Sequence, residues 1–97
     1  MLFALICTDK PGSLAIRQAA RPPHLEYLRS HEPSLQFAGP LLDPAGNPCG
    51  SLLLIDVPDR AAAEAFAASD PYAQAGLFES AVIRPVRQVA RDGKLSA

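Results

Sequence analysis

Histidine is the side chain best suited to moving a proton near neutral pH, and here His24, which a structural role would also explain, could be oriented by Asp70. An imidazole accepts and releases protons in that range, and a carboxylate can fix its tautomer, as in hydrolytic triads. Asp70 opens the stretch Asp70-Pro71-Tyr72-Ala73-Gln74-Ala75-Gly76-Leu77-Phe78, which reads as a helix start. An acceptor stands at the N-cap, followed by a proline whose fixed φ falls where no amide donor is needed. Capping alone accounts for Asp70 and packing alone for Tyr72, so a functional reading requires that Asp70 reach His24. Arg17 and Arg21 precede His24 at helical spacing, and either can hold a substrate anion. Ser51, after Gly50, adds a hydroxyl beside a flexible backbone, and Tyr72 a phenol. There is no Gly-x-Ser-x-Gly elbow, phosphate-binding glycine loop or His-x-x-x-His pattern, which argues against common hydrolase, nucleotide and zinc sites. No cofactor and no metal are implied.

The elements that must position these groups follow from the apolar pattern. Leu2 to Thr8 is a short continuous apolar run, a strand buried on both faces, broken by Lys10-Pro11-Gly12-Ser13. Leu14 to His31 is helical in pattern, but Pro22-Pro23 cannot sit deep in one helix, and Arg21, preceding proline, is biased away from helical geometry. The expectation is a helical turn over Ser13–Ala20 and a main helix from Pro22 to about Ser30. His24 then lies in a first turn, where the helix dipole disfavours imidazolium. His31, at the helix end, has no site role, and Tyr27 and Leu28 face the core.

Gln36–Leu42 and Gly50–Val57 read as strands joined by the turn-rich Asp43-Pro44-Ala45-Gly46-Asn47-Pro48, and so as an antiparallel hairpin. Asp59 opens a helix over about Arg60–Ala68, with Ala62, Ala65 and Phe66 as its apolar face. Gly76 ends the turn begun at Asp70, and Ser80–Val89 is a last strand placed at the sheet edge by Pro85.

At 97 residues the chain makes one domain, with 89–97 a flexible or partner-contacting tail. Its longest aliphatic run, Leu52-Leu53-Leu54-Ile55, is far short of the roughly 20 residues that cross a bilayer. The early Thr8-Asp9-Lys10 leaves no signal peptide, and a cytoplasmic location follows by default. Cys7 and Cys49 have no metal-ligand spacing and read as small buried hydrophobes. A net charge of −1 without charge blocks removes the electrostatic footprint of nucleic-acid binding.

The order βαββαβ is the ferredoxin-like arrangement, an α+β fold with a four-stranded antiparallel sheet and both helices on one face. Its other face carries Leu, Ile and Val, which predicts a homodimer burying sheet against sheet. An RNA-binding module on this frame would need stacking aromatics on the central strands, where strands one and three offer only Phe3.

Phe3-Ala4, Arg17 and Arg21 ahead of His24-Leu25, Ala38-Gly39-Pro40-Leu41, Gly50-Ser51, Asp70-Pro71-Tyr72 with Ala75-Gly76, and Arg84-Pro85 together resemble the YCII-related (YciI-like) family. The resemblance runs from the first strand to Arg87. It implies a protomer of the dimeric α+β barrel group, related in fold to muconolactone isomerases, with a site at His24 and Asp70. Relatives include an enzyme that removes chloride from a chlorinated hydroxyhydroquinone. Two readings follow: an acid–base enzyme on a small molecule without a cofactor, or a non-catalytic metabolite-binding or accessory dimer. A cofactor-independent monooxygenase is a further competitor, disfavoured by the absence of tryptophan.

Overall fold

The computed structural model describes residues 1–96. Strand β1 (Leu2–Asp9) leads into helix α1 (Leu14–Arg29), then strands β2 (Leu35–Leu42) and β3 (Pro48–Asp56), helix α2 (Arg60–Ser69), the single-turn helix α3 (Pro71–Gln74) and strand β4 (Phe78–Pro85). The sheet order is β2-β3-β1-β4 with every neighbour antiparallel, the expected ferredoxin-like arrangement. The hairpin of β2 and β3 forms as expected, and β4 lies at an edge, where Pro85 costs no central ladder bond.

Phe3 and Leu5 of β1 pair with Ile55 and Leu53 of β3, and all four point to the face that α1 and α2 cover. Leu28 of α1 and Ala63 and Phe66 of α2 close this core. Tyr27 packs at its margin, its hydroxyl donating to the Phe66 carbonyl at 2.8 Å. A smaller cluster of Ala20, Tyr72 and Leu77 lies beside it. The apolar face of α2 differs from the expected one: Ala63 and Phe66 are buried, Ala62 is half-buried and Ala65 is exposed. Phe66, the largest side chain, sets the phase, and Ala63 and Asp70 share its face at i−3 and i+4. Asp59 caps α2 as expected, accepting from the Ala62 amide at 2.9 Å.

The expected break at Pro22-Pro23 does not occur, and α1 is one helix of 16 residues. The two prolines remove the amides that would bond the carbonyls of Gln18 and Ala19, residues on the exposed side where water can take their place. The buried row of Arg17, Ala20, His24 and Leu28 runs across the prolines, so tertiary packing holds both halves in one helix.

Cys49 is also unlike its expectation, being exposed. Leu41 pairs with Gly50 and Leu42 with Pro48, which leaves Cys49 as the extra residue of a bulge. From Ala90 the chain makes a small ribbon, β5 (Ala90–Arg91) and β6 (Lys94–Leu95). Its turn has positive φ at both Asp92 (50°) and Gly93 (79°), as such tight hairpins require. Among the described residues no helix is long and apolar enough to cross a membrane.

Gly50 serves close approach rather than flexibility: a Cβ there would stand 2.4 Å from the Cys7 carbonyl oxygen across the β1–β3 ladder. Gly50→Ala is therefore expected to destabilise the fold by about 1–3 kcal/mol, measured by urea unfolding, whereas Gly39→Ala, which meets only the Phe37 ring, costs less. The thiols differ too. Burial, reinforced by the Asp70 carboxylate, pushes the Cys7 thiol up to about 11. At pH 8 a thiol reagent should modify one cysteine per native chain, Cys49, and two after unfolding; rapid native modification of both would refute this.

Candidate functional site

The unbroken α1 turns His24 toward α3, away from any helix end, so the expected influence of the helix dipole does not apply. Its Nδ1 lies 2.7 Å from Asp70 Oδ1, and both residues are buried. The same oxygen accepts the Tyr72 amide at 2.9 Å, so the cap of α3 and the histidine partner are one carboxylate. Because an ionised carboxylate only accepts, Nδ1 carries a proton, and in the neutral ring Nε2 is left with its lone pair. Nε2 has no partner among the described residues, where every fully buried side-chain nitrogen or oxygen has one. It is therefore the atom that His24 presents to the cavity it lines. The ring is held flat on Tyr72, with centroids 3.8 Å apart and planes inclined by 15°.

That cavity, about 330 Å³, lies between α1 and the β2–β3 half of the sheet. Leu25, Leu28, Ala38, Pro40 and Leu53 supply apolar walls; Arg17, Arg21, His24, Ser51 and Tyr72 supply the polar groups. A mostly apolar cleft with a few convergent polar side chains is the usual form of a small-molecule site, and this volume lies at the small end of the range. The structure thus brings all six sequence candidates together, five at the cavity wall and Asp70 directly behind His24.

Their environments are not alike. Arg17 is buried and donates from Nε and Nη2 to the two oxygens of Asp9, at 2.7 and 2.8 Å. Burial works against its charge and Asp9 more than offsets it, so the guanidinium is held more firmly ionised than usual. Nη2 also donates to Ser51 Oγ at 2.9 Å, and the guanidinium lies over the Tyr72 ring at 4.7 Å. Arg21 is exposed and has no ion-pair partner among the described residues. The Tyr72 phenol is pushed up by burial, against the pull of Arg17 and Arg21, and stays protonated at neutral pH. Asp9 was not among the sequence candidates, yet Phe3, Leu5, Cys7 and Asp9 alternate onto one face of β1, which points its carboxylate toward the helices. His31 stays outside the site, its ring at the helix end against Tyr27 and Phe66.

What this geometry can do is move a proton. His24 Nε2 is placed where a base or acid could act, and among the described residues no activated nucleophile accompanies it: Ser51 is bonded to Arg17, and Cys7 is buried and protonated.

The YCII-related domain model matches residues 1–87. Protein YciI of Escherichia coli is 35% identical over 97 aligned residues, spanning 92% of this chain and 99% of that protein. A crystal structure of 5-chloro-2-hydroxyhydroquinone dehydrochlorinase (TftG) from Burkholderia phenoliruptrix AC1100, in complex with 2,5-dihydroxybenzoquinone, superposes with a TM-score of 0.86 at 29% identity, covering 90% of this chain and 94% of that one. An antibiotic biosynthesis monooxygenase at 18% identity and TM-score 0.54 shares the fold alone, covering 91% of this chain and all (100%) of that one. By the family model over residues 1–87 and by its relatives, this chain belongs to the YCII-related domain family.

Proposed function

We propose that this protein is an acid–base enzyme acting on a small ring compound with acidic hydroxyl groups, in which His24 Nε2 takes or gives the proton and Asp70 orients the ring. The observation that carries this reading is the 2.7 Å contact of His24 Nδ1 with Asp70 in a residue that lines a cavity. The likeness to TftG supports the substrate class, since its named reaction removes a proton and a chloride together. Such an elimination needs a base for the proton and lets the halide leave with its bonding pair, with no net redox change. Arg21, the free cation at the cavity, offsets negative charge on the ligand.

The test is twofold. Nitrogen NMR of His24 should show the proton on Nδ1 in the neutral ring, and Asp70→Asn should change both the tautomer and the titration curve. Superimposable curves in the two proteins would rule the coupling out. Chloride release from 5-chloro-2-hydroxyhydroquinone should fall about 10²–10⁴-fold in His24→Ala. Binding of 2,5-dihydroxybenzoquinone without chloride release would favour a non-catalytic binding protein instead.

We also propose that the protein is a homodimer through the open sheet face. Ile6, Phe37, Leu41 and Val82 stand on that face and are all at least 37% exposed. An apolar patch of this kind on a central sheet marks an interface. Light scattering at micromolar concentration should give twice the 10.3 kDa chain mass, and Phe37→Asp should shift the population toward monomer. A stable monomer in the unsubstituted protein would overturn this.

A further inference from the structure

We infer that the Ser51 hydroxyl is a hydrogen-bond donor to an oxygen of the ligand, and that Asp9, acting through Arg17, is a positioning residue that aims it. The inference rests on the acid–base reading above and names the oxygen side of that same cavity.

A guanidinium has five N–H donors and no acceptor, so in the 2.9 Å contact between Arg17 Nη2 and Ser51 Oγ the serine oxygen must accept. The hydroxyl proton of Ser51 is then free, and it has no acceptor among the described residues. Ser51 is only 4% exposed and lines the cavity, so the open space there is where an acceptor for that proton would stand. A hydroxyl that accepts from a cation is also a stronger donor, because each bond in such a chain polarises the next.

Arg17 cannot turn away from Ser51 on its own. Nε and Nη2 are both engaged by Asp9 in a two-point pair whose side chains are 7% and 6% exposed. Three of its five donors are thereby committed, two to Asp9 and one to Ser51. The pair is neutral as a unit, so Asp9 fixes the aim of the guanidinium while cancelling its charge.

Opposite donors and acceptors then define the ligand. His24 Nε2 accepts a proton, and Ser51 O–H donates a hydrogen bond to an oxygen that becomes negative as that proton leaves. The proton goes to Nε2, the electron pair stays on the ligand, and Arg21 supplies the offsetting charge. A molecule with an acidic hydroxyl conjugated to a carbonyl or second ring oxygen meets all three groups; hydroxyquinones and their hydroquinone forms belong to this class.

The probe is 2,5-dihydroxybenzoquinone, titrated into the full-length protein and followed by its visible absorbance. Ser51→Ala should weaken binding about tenfold or more, as expected for a lost hydrogen bond to a charged group, and Ser51→Thr, which keeps the hydroxyl, should restore it. Asp9→Asn leaves Arg17 uncompensated and adds net positive charge to the cavity, which by charge alone would tighten an anionic probe. A positioning role predicts weaker binding instead. If Asp9→Asn does not fold, the Ser51 pair still decides. A smaller loss in Ser51→Ala, or no rescue by threonine, overturns the inference while the His24 titration leaves the acid–base reading standing. Failure of the unsubstituted protein to bind the probe overturns the ligand class.

Discussion

Asp70 is a carboxylate taken almost entirely out of water, and the site is organised around the donors that make this tolerable. Desolvating such an ion costs several kcal/mol unless hydrogen bonds replace the lost water. Here one oxygen collects the Tyr72 amide and His24 Nδ1. The first bond starts α3 and places the Tyr72 ring; the second fixes the rotation of α1 about its axis. His24 stacks on Tyr72, and both are tied to the same atom. Capping and orientation of the imidazole are thus one interaction.

The second buried carboxylate, Asp9, solves the same problem differently. Its partner is an arginine, charged at every accessible pH, so that pair is permanent. The partner of Asp70 is a histidine, a side chain whose charge can change near neutral pH. The fixed pair and the titratable pair thus stand about two turns apart on one helix. Arg17 anchors the end of β1 to α1 through Asp9. Tyr72 lies against both, its ring stacked on the imidazole and beneath the guanidinium.

Much of this was legible in the residues. The strands, the hairpin, the edge position of β4 and the caps at Asp59 and Asp70 all depend on local chemistry: apolar runs, turn residues and side-chain acceptors. What was not legible depends on tertiary contact. Pro22-Pro23 reads as a break because propensity is a local quantity, whereas the continuity of α1 comes from a buried row spanning both sides of the prolines. Ala63 rather than Ala65 is buried because Phe66 sets the phase, and three alanines in succession carry no phase of their own. Cys49 is exposed because of a bulge, which hydrophobicity does not announce. The apolar run ends at Thr8, so hydrophobicity leaves Asp9 out of the strand, although its parity with Phe3, Leu5 and Cys7 places it on their face.

The same inner face carries both the core and the site, which meet at Leu28 and Leu53. Along β1 the helix-facing residues run Phe3, Leu5, Cys7, Asp9, over about 20 Å of strand. On β3 the residues opposite them are Ile55, Leu53 and Ser51, so polarity rises in step across the ladder. Helix α1, turned straight back by the short Lys10–Ser13 loop, repeats the gradient over about 16 Å, from Arg17 through Ala20 and His24 to Leu28. This matching does what alternation cannot. A two-residue slip of β3 against β1 keeps every side chain on its proper face, because the side-chain period of a strand is two. One way it would set Ser51 against Leu5 and the other way against Asp9, and either moves its hydroxyl from its place opposite Cys7, where it meets Arg17. Inner-face alternation selects the face, while the polar end of the gradient selects the register, so the residues that build the site also help to align the sheet beneath it.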